Sequence, residues 1–326
     1  SKSEHCEKQS ALEFVPDGCS LDALDTQRFI DSLKGRRLVL WGDSVSRQFF
    51  QYIGRRIVAG KSEQHLPELV YPQHPECELQ KINISSHIHV GTNRKETYRV
   101  AKHAWGHLSH QCFELVDDLD KYCYFIQGTT AKLCYIAAWD NVVSPLNVAV
   151  FNSLRSDDLV LANVGLHHNG ELEARAAVMN FRFLLQDVAR RQRPIPQFIW
   201  RTSSAQHFAN SPGGLYPLNR TQARSLRQAR DYQCQGYGHR EMKVFNLRNK
   251  EAHAALYGLD MPVLDVFNVS AMLPQAHPQV LNGRKKADCT HFCMTPGGMY
   301  EVWLHLLQNL LEHKLAGPTK KLFPYL

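Results

Sequence analysis

No apolar run in the 326 residues approaches the ~20 consecutive positions that a membrane-spanning helix requires. There is no low-complexity tract and no repeat of fixed period, which excludes a solenoid and a long disordered tail. The basic residues are not interleaved with aromatics, and no nucleic-acid-binding motif is present. The formal charge of +7 is spread over separate clusters, Arg36-Arg37, Arg55-Arg56, Arg190-Arg191 with Arg193, and Arg284-Lys285-Lys286. It therefore favours anionic material, such as an acidic polysaccharide or a lipid headgroup surface, without marking a nucleic acid. With 44% hydrophobic and 21% charged residues, the chain has core enough for one large α/β domain, which we expect over 1–326, or two small ones.

Chemistry is concentrated at two places far apart in the chain. Gly42-Asp43-Ser44 ends the apolar run Leu38–Trp41, which reads as a strand buried on both faces. Phe49, Phe50, Ile53 and Ile57 then recur at helical spacing, so Ser44 is expected in a tight strand-to-helix turn. Backbone N–H groups at such a turn can hold a developing oxyanion. Near the other end, Asp288-Cys289-Thr290-His291 supplies a carboxylate and an imidazole three residues apart, which face each other in one helical turn or a compact loop. A serine hydroxyl attacks poorly until a histidine takes its proton, and the histidine works best with a carboxylate fixing its tautomer. Ser44, His291 and Asp288 can fill those roles; taken singly, the motifs also read as a capped turn and as a surface acid with a capping histidine. After Pro296, Gly297 and Gly298, an amphipathic helix over Tyr300–Leu311 carries Trp303, Leu306, Leu307, Leu310 and Leu311 on one stripe and would anchor the Asp288/His291 loop.

Four strand candidates, Leu38–Trp41, Leu159–Ala162, Phe198–Trp200 and Val263–Phe267, alternate with helical patterns at Val45–Ile57, Leu172–Arg190, near Arg224–Tyr232 and at Tyr300–Leu311. That alternation predicts a mostly parallel sheet wound by crossovers, with functional groups gathered at the carboxyl ends of the strands. Over residues 61–143 the periodicity weakens. Two short runs there, Tyr122–Gln127 and Lys132–Trp139, are joined through Gly128-Thr129-Thr130 and predict an inserted hairpin region that shapes substrate access.

Nine cysteines and three glycosylation sequons, at Asn83, Asn219 and Asn268, fit an oxidising lumen. Cys289 and Cys293 flank His291, which suggests disulfides bracing that loop rather than a zinc site. His103, His107 and His110 have helical spacing but no carboxylate at a useful offset, so surface histidines are expected and no metal site. The first residues are polar and charged and show no cleavable signal, so a signal or membrane anchor is expected outside these residues.

The stretch from Pro16 to Ile53, containing Pro-Asp-Gly-Cys-Ser-Leu and Leu-Lys-Gly-Arg-Arg-Leu-Val-Leu-Trp-Gly-Asp-Ser-Val-Ser-Arg, resembles the plant trichome-birefringence-like proteins of the PC-esterase group, within the SGNH/GDSL superfamily. Asn163-Val164-Gly165-Leu166-His167-His168, Trp200-Arg201-Thr202-Ser203-Ser204-Ala205-Gln206-His207-Phe208 and Ala287–Cys293 resemble it in the same order. The family pattern has aromatic residues where His167 and His168 stand, and its full cysteine-rich N-terminal segment has no copy here.

The resemblance implies an α/β/α sandwich and O-acetylation of glycans in the Golgi lumen, with relatives that remove acetyl groups. It implies Ser44 as acylated nucleophile, His291 as base then acid, and Asp288 as its partner. The backbone N–H of Ser44, with Asn163 and Gly165, is implied at the oxyanion hole. Cys234 and either Cys6 or Cys19 are the implied disulfide partners of Cys289 and Cys293. No cofactor is expected beyond an acetyl donor, acetyl-CoA or another acetyl carrier. Arg47 and Arg201 would bind a carboxylate or an acyl-donor phosphate, or else pair with an internal acid. His167 and His168 would contact glycan or stand in a polar loop. The expectation is a luminal O-acetyltransferase; a carbohydrate acetylesterase using the same residues and an inactive glycan-binding protein are the alternatives.

Overall fold

Leu38–Trp41 lies inside β1 (Arg37–Gly42), every residue of which is buried. In the computed structural model, which describes residues 6, 24–58, 119–138, 145–168, 170–191, 195–209, 211, 214–216, 233–238, 241, 246–280 and 287–315, β1 is an inner strand of a six-stranded sheet. The strands are β2 (Cys123–Phe125), β3 (Lys132–Ala137), β4 (Leu159–Ala162), β5 (Gln197–Arg201) and β6 (Val263–Leu264), in the order β2-β3-β1-β4-β5-β6. All neighbours are parallel except β2, an antiparallel edge on β3. The expected hairpin is therefore present, but β3 lies within the central sheet and pairs with β1 from Arg37↔Lys132 to Gly42↔Ala137. Cys123 and Cys134 stand opposite each other on it and are joined by a disulfide that the sequence reading did not anticipate.

Because strand side chains alternate between faces, β1 feeds two cores. Leu38 and Leu40 pack with Phe49 of α2 (Ser44–Val58) and Trp303 of α7 (Met299–Asn309), a side that also takes Phe29 of α1 (Thr26–Ser32). Val39 and Trp41 pack with Phe151 of α3 (Pro145–Ser153) and with Phe181 of α4 (Glu171–Arg191), a core that also takes Ala252 of α5 (Leu247–Leu256). Trp41 stacks on Phe181 at 5.3 Å and donates its indole N–H to Asn147 Oδ1 at 3.0 Å, so its burial leaves no donor unpaired. The result is the three-layer α/β/α arrangement, with helices on either side of a mostly parallel sheet. Among the described residues no helix is long and apolar enough to cross a membrane.

Three differences from the sequence reading have local causes. The strand expected over Val263–Phe267 stops at Leu264, because Thr202 Oγ1 accepts the N–H groups of Val266 and Phe267 and Asp265 Oδ1 accepts that of Phe267, turning the chain into α6 (Phe267–Ala271). α5 shows no apolar period because its buried face includes Arg248 and Glu251 beside Ala252 and Ala255. α3 was missed for the opposite reason: Leu-Asn-Val-Ala-Val-Phe carries too little polarity to mark a face. The helical pattern near Arg224–Tyr232 lies outside the described residues, as do Asn83, Asn219, Cys19, His103, His107 and His110.

Candidate active site

β1 ends at Gly42, where a Cβ would lie 2.3 Å from Ser46 Oγ and 3.0 Å from the Asn163 carbonyl, so glycine is what lets the strand pass so close. Asp43 then caps α2: its Oδ1 accepts from the N–H of Val45 at 2.9 Å and of Ser46 at 3.1 Å. The Tyr135 hydroxyl donates across to the carbonyls of Gly42 and Asp43, fixing the turn from β3. Ser44 is the first residue of α2, and its N–H has no acceptor among the described residues. A helix-start N–H in that position is a donor held ready for an anion.

The second half of the site rests on a small antiparallel pair, β7 (Gln279–Val280) with β8 (Ala287–Asp288). Asp288 is 6% exposed, and its Oδ1 accepts from the backbone N–H of Thr290 at 3.1 Å and of His291 at 3.0 Å. Those bonds close a compact loop that brings the imidazole back over the carboxylate, with His291 Nδ1 3.2 Å from Oδ1 and 3.0 Å from Oδ2. His291 Nε2 lies 2.7 Å from Ser44 Oγ, across 247 residues of sequence. Nδ1 thus faces an acceptor, which places its hydrogen there and leaves Nε2 to accept from the serine hydroxyl.

Electrostatics follow from this geometry. Burial opposes charging of His291, but the hydrogen bond and charge of Asp288 outweigh it, so the imidazole stands above its ordinary value. Burial likewise opposes the Asp288 carboxylate, and the His291 and Thr290 donors overcome it and hold its pKa low. The pair is therefore poised to hold a proton on His291 while Asp288 stays ionised.

Disulfides brace the loop on both sides of the imidazole. Cys289 is bonded to Cys234 and Cys293 to Cys6, so of the two N-terminal cysteines expected as partners the structure uses Cys6. Opening Cys234–Cys289, which closes a span of 55 residues, is expected to lower stability by about 2–4 kcal/mol, read as a shift in urea midpoint of a Cys234→Ser/Cys289→Ser protein. An unchanged midpoint would remove the bracing role.

The other expected ligands fare differently. Gly165 stands at φ +117 on the loop after β4. Asn163 is buried beside it, and its amide nitrogen donates to the Arg201 carbonyl at 2.9 Å and to Ser203 Oγ at 3.3 Å. Arg201 is 1% exposed, bonded to Ser46 Oγ at 2.9 Å, 3.7 Å from Asp43 Oδ1 and over the Trp303 ring. It takes the internal-acid role. Burial lowers its pKa, with Asp43 opposing. Arg47 is exposed one turn from Ser44, His167 is exposed and His168 half-buried on the turn after β4, and Asn268 is exposed with its amide on Asp265.

Sequence reasoning missed the supports. Gln206 donates to Thr290 Oγ1 at 2.8 Å and accepts from Arg248 at 3.0 Å, joining the loop after β5 to α5 and to the Asp288 loop. Arg248 also donates to the His168 carbonyl at 2.8 Å, and burial brings its pKa down to about 10. Gln206 sits in the segment already singled out after Trp200, which is the signal that could have marked it.

Residues 149–310 match the family described as "PC-Esterase: GDSL/SGNH-like Acyl-Esterase family found in Pmr5 and Cas1p". Over 341 aligned residues the chain is 23% identical to "Protein trichome birefringence-like 12" of Arabidopsis thaliana, covering 95% of this chain and 77% of that protein. The match takes in β4, β5 and the Asp288/His291 loop, while Ser44 precedes it, just after β1, the strand beside β4. Residues 149–310 thus carry the likeness to a PC-Esterase domain of the GDSL/SGNH-like acyl-esterase type.

Proposed function

We propose that this protein is an O-acetyltransferase that moves an acetyl group to a glycan or polysaccharide hydroxyl by double displacement through Ser44. The observation that carries the reading is the contact of Ser44 Oγ with His291 Nε2 at 2.7 Å, with Asp288 on the opposite ring nitrogen. His291 Nε2 takes the Ser44 proton as Oγ attacks the acetyl carbonyl carbon of the donor. The negative oxygen is met by the N–H groups of Ser44 and Gly165, and Asp288 holds the imidazolium. Collapse expels the donor's leaving group, which receives the proton from His291. A sugar hydroxyl then gives its proton to Nε2 and attacks the acetyl-serine, and Ser44 Oγ leaves with that proton.

Water in place of the sugar makes the same site an acetylesterase, a reading favoured by the acyl-esterase description of the family. Three disulfides among the described residues support an oxidising compartment, the Golgi lumen or secretory pathway, and with it a membrane-anchored luminal setting. The net charge of +7 supports an acidic acceptor. Purified protein incubated with acetyl-CoA and a glycan panel, then with acetylated glycans and no donor, separates the readings. Acetylated product in the first tube is the expected result; free acetate only in the second would make it an esterase, and glycan retention with neither product a binding protein.

A further inference from the structure

A chain of imidazoles runs behind the Asp288/His291 loop. His277 Nδ1 lies 2.6 Å from the His291 carbonyl oxygen, His277 Nε2 lies 2.7 Å from His207 Nδ1, and His207 Nε2 lies 3.0 Å from the Ala271 carbonyl oxygen. Both rings are 0% exposed. We propose that His277 is a positioning residue for His291, donating Nδ1–H to its carbonyl, and that His207 sets the tautomer that makes this possible. The inference rests on the reading of Ser44 and His291 as nucleophile and base.

The argument is a count of hydrogens. Both outer acceptors are carbonyl oxygens, so the three contacts call for three N–H groups, and two neutral imidazoles hold two. The hydrogens belong in the two shorter contacts, those at 2.6 and 2.7 Å. His277 then carries its hydrogen on Nδ1 and accepts from His207 at Nε2, and the missing hydrogen falls at the longest contact, where His207 Nε2 faces the Ala271 carbonyl at 3.0 Å. Burial keeps both rings from charging, and for His277 the neighbouring His207 adds to the effect. A hydrogen on His277 Nε2 instead would set the Nδ1 lone pair against the His291 carbonyl and push the base off its seat.

Two further contacts confine the consequence to the loop. Phe292 stacks on the His277 ring at 4.5 Å, and the Cys293 N–H donates to the Ala276 carbonyl at 2.9 Å. The three residues His291, Phe292 and Cys293 are therefore all held by the segment Ala276-His277. On the far side, the His207 N–H donates to the Cys289 carbonyl at 3.0 Å, so His207 also grips the loop from before His291. A displacement of the base by about 1 Å costs on the order of 100-fold in rate, so a bond that fixes its backbone is felt in turnover.

Nitrogen-15 NMR of the full chain with labelled histidine reads the tautomer directly. At neutral pH His277 is expected with Nδ1 protonated and Nε2 bare, assigned by its loss in His277→Asn. A bare Nδ1 overturns the proposal whether or not the protein turns over, which separates its failure from failure of the acetyl-transfer reading. In kinetics, His277→Phe keeps the stack on Phe292 and removes the donor; kcat is expected to fall about 10- to 100-fold with KM within about 2-fold. His277→Asn, whose amide reaches the place of Nδ1, is expected to stay within about 3-fold of the parent. A folded His277→Phe protein with the parent kcat overturns the assignment, as does an equal loss in His277→Asn.

Discussion

Ser44→Ala is expected to abolish the acetyl-enzyme and lower kcat by on the order of 10⁶-fold, the scale seen when a nucleophile is removed from an established serine hydrolase. The hydroxyl meets His291 Nε2 at 2.7 Å, and Ser44 begins a helix whose capping residue, Asp43, already spends an oxygen on Val45 and Ser46. Removing one oxygen keeps the Cβ of Ser44 and the backbone bonds of β1, α2 and the Asp288 loop, so thermal stability and glycan affinity are expected to stay near those of the parent. Intact-mass analysis after incubation with acetyl donor checks the first part, where the parent gains one acetyl group and the variant none. Acetylation of the variant at the parent rate would take the nucleophile role from Ser44.

The parts of the fold legible in the sequence are those whose side chains obey one period. β1 and β4 read as buried runs because both faces of the sheet are covered, and α2 and α7 read as amphipathic because each lies on it with one face. α5 was invisible because its buried face mixes Arg248 and Glu251 with Ala252, Ala255 and Leu256: Arg248 bonds His168 and Gln206, and such a mixed face carries little hydrophobic signal. The same applies at the site. Ser44, Asp288 and His291 could be singled out because three residue types in short motifs suggest one chemistry, and the fold brings the three side chains together. The supports could not be, since a pair such as His207 and His277 lies 70 residues apart and becomes a pair only once the chain is folded. Arg201 shows the limit in the other direction: a positive charge in a promising motif reads equally as a ligand or as the partner of an internal acid, and its 1% exposure beside Asp43 is what the sequence does not carry.

Asp288→Asn separates the electrostatic part of the site from its geometry. A carboxamide at Asp288 fills the same volume and can still accept the Thr290 and His291 N–H groups that shape the loop. It cannot stabilise an imidazolium, and its NH₂ group can turn His291 into the tautomer that carries hydrogen on Nε2, facing Ser44 with a donor. The expected loss in kcat is on the order of 10⁴-fold, large but short of the loss from Ser44→Ala. The pH profile gives the sign. In the parent, burial would pull the His291 pKa down, and the Asp288 hydrogen bond and charge carry it above the usual imidazole value. A general base must be neutral, so kcat/KM is expected to rise with pH through that raised pKa. With the carboxylate gone, burial is left as the leading influence, and the ascending limb moves to lower pH even as the plateau falls. Kinetics from pH 5 to 9 on both proteins reads the two effects separately. A limb that kept its position in Asp288→Asn would mean that Asp288 does not set the charge of His291, whatever the distance between them.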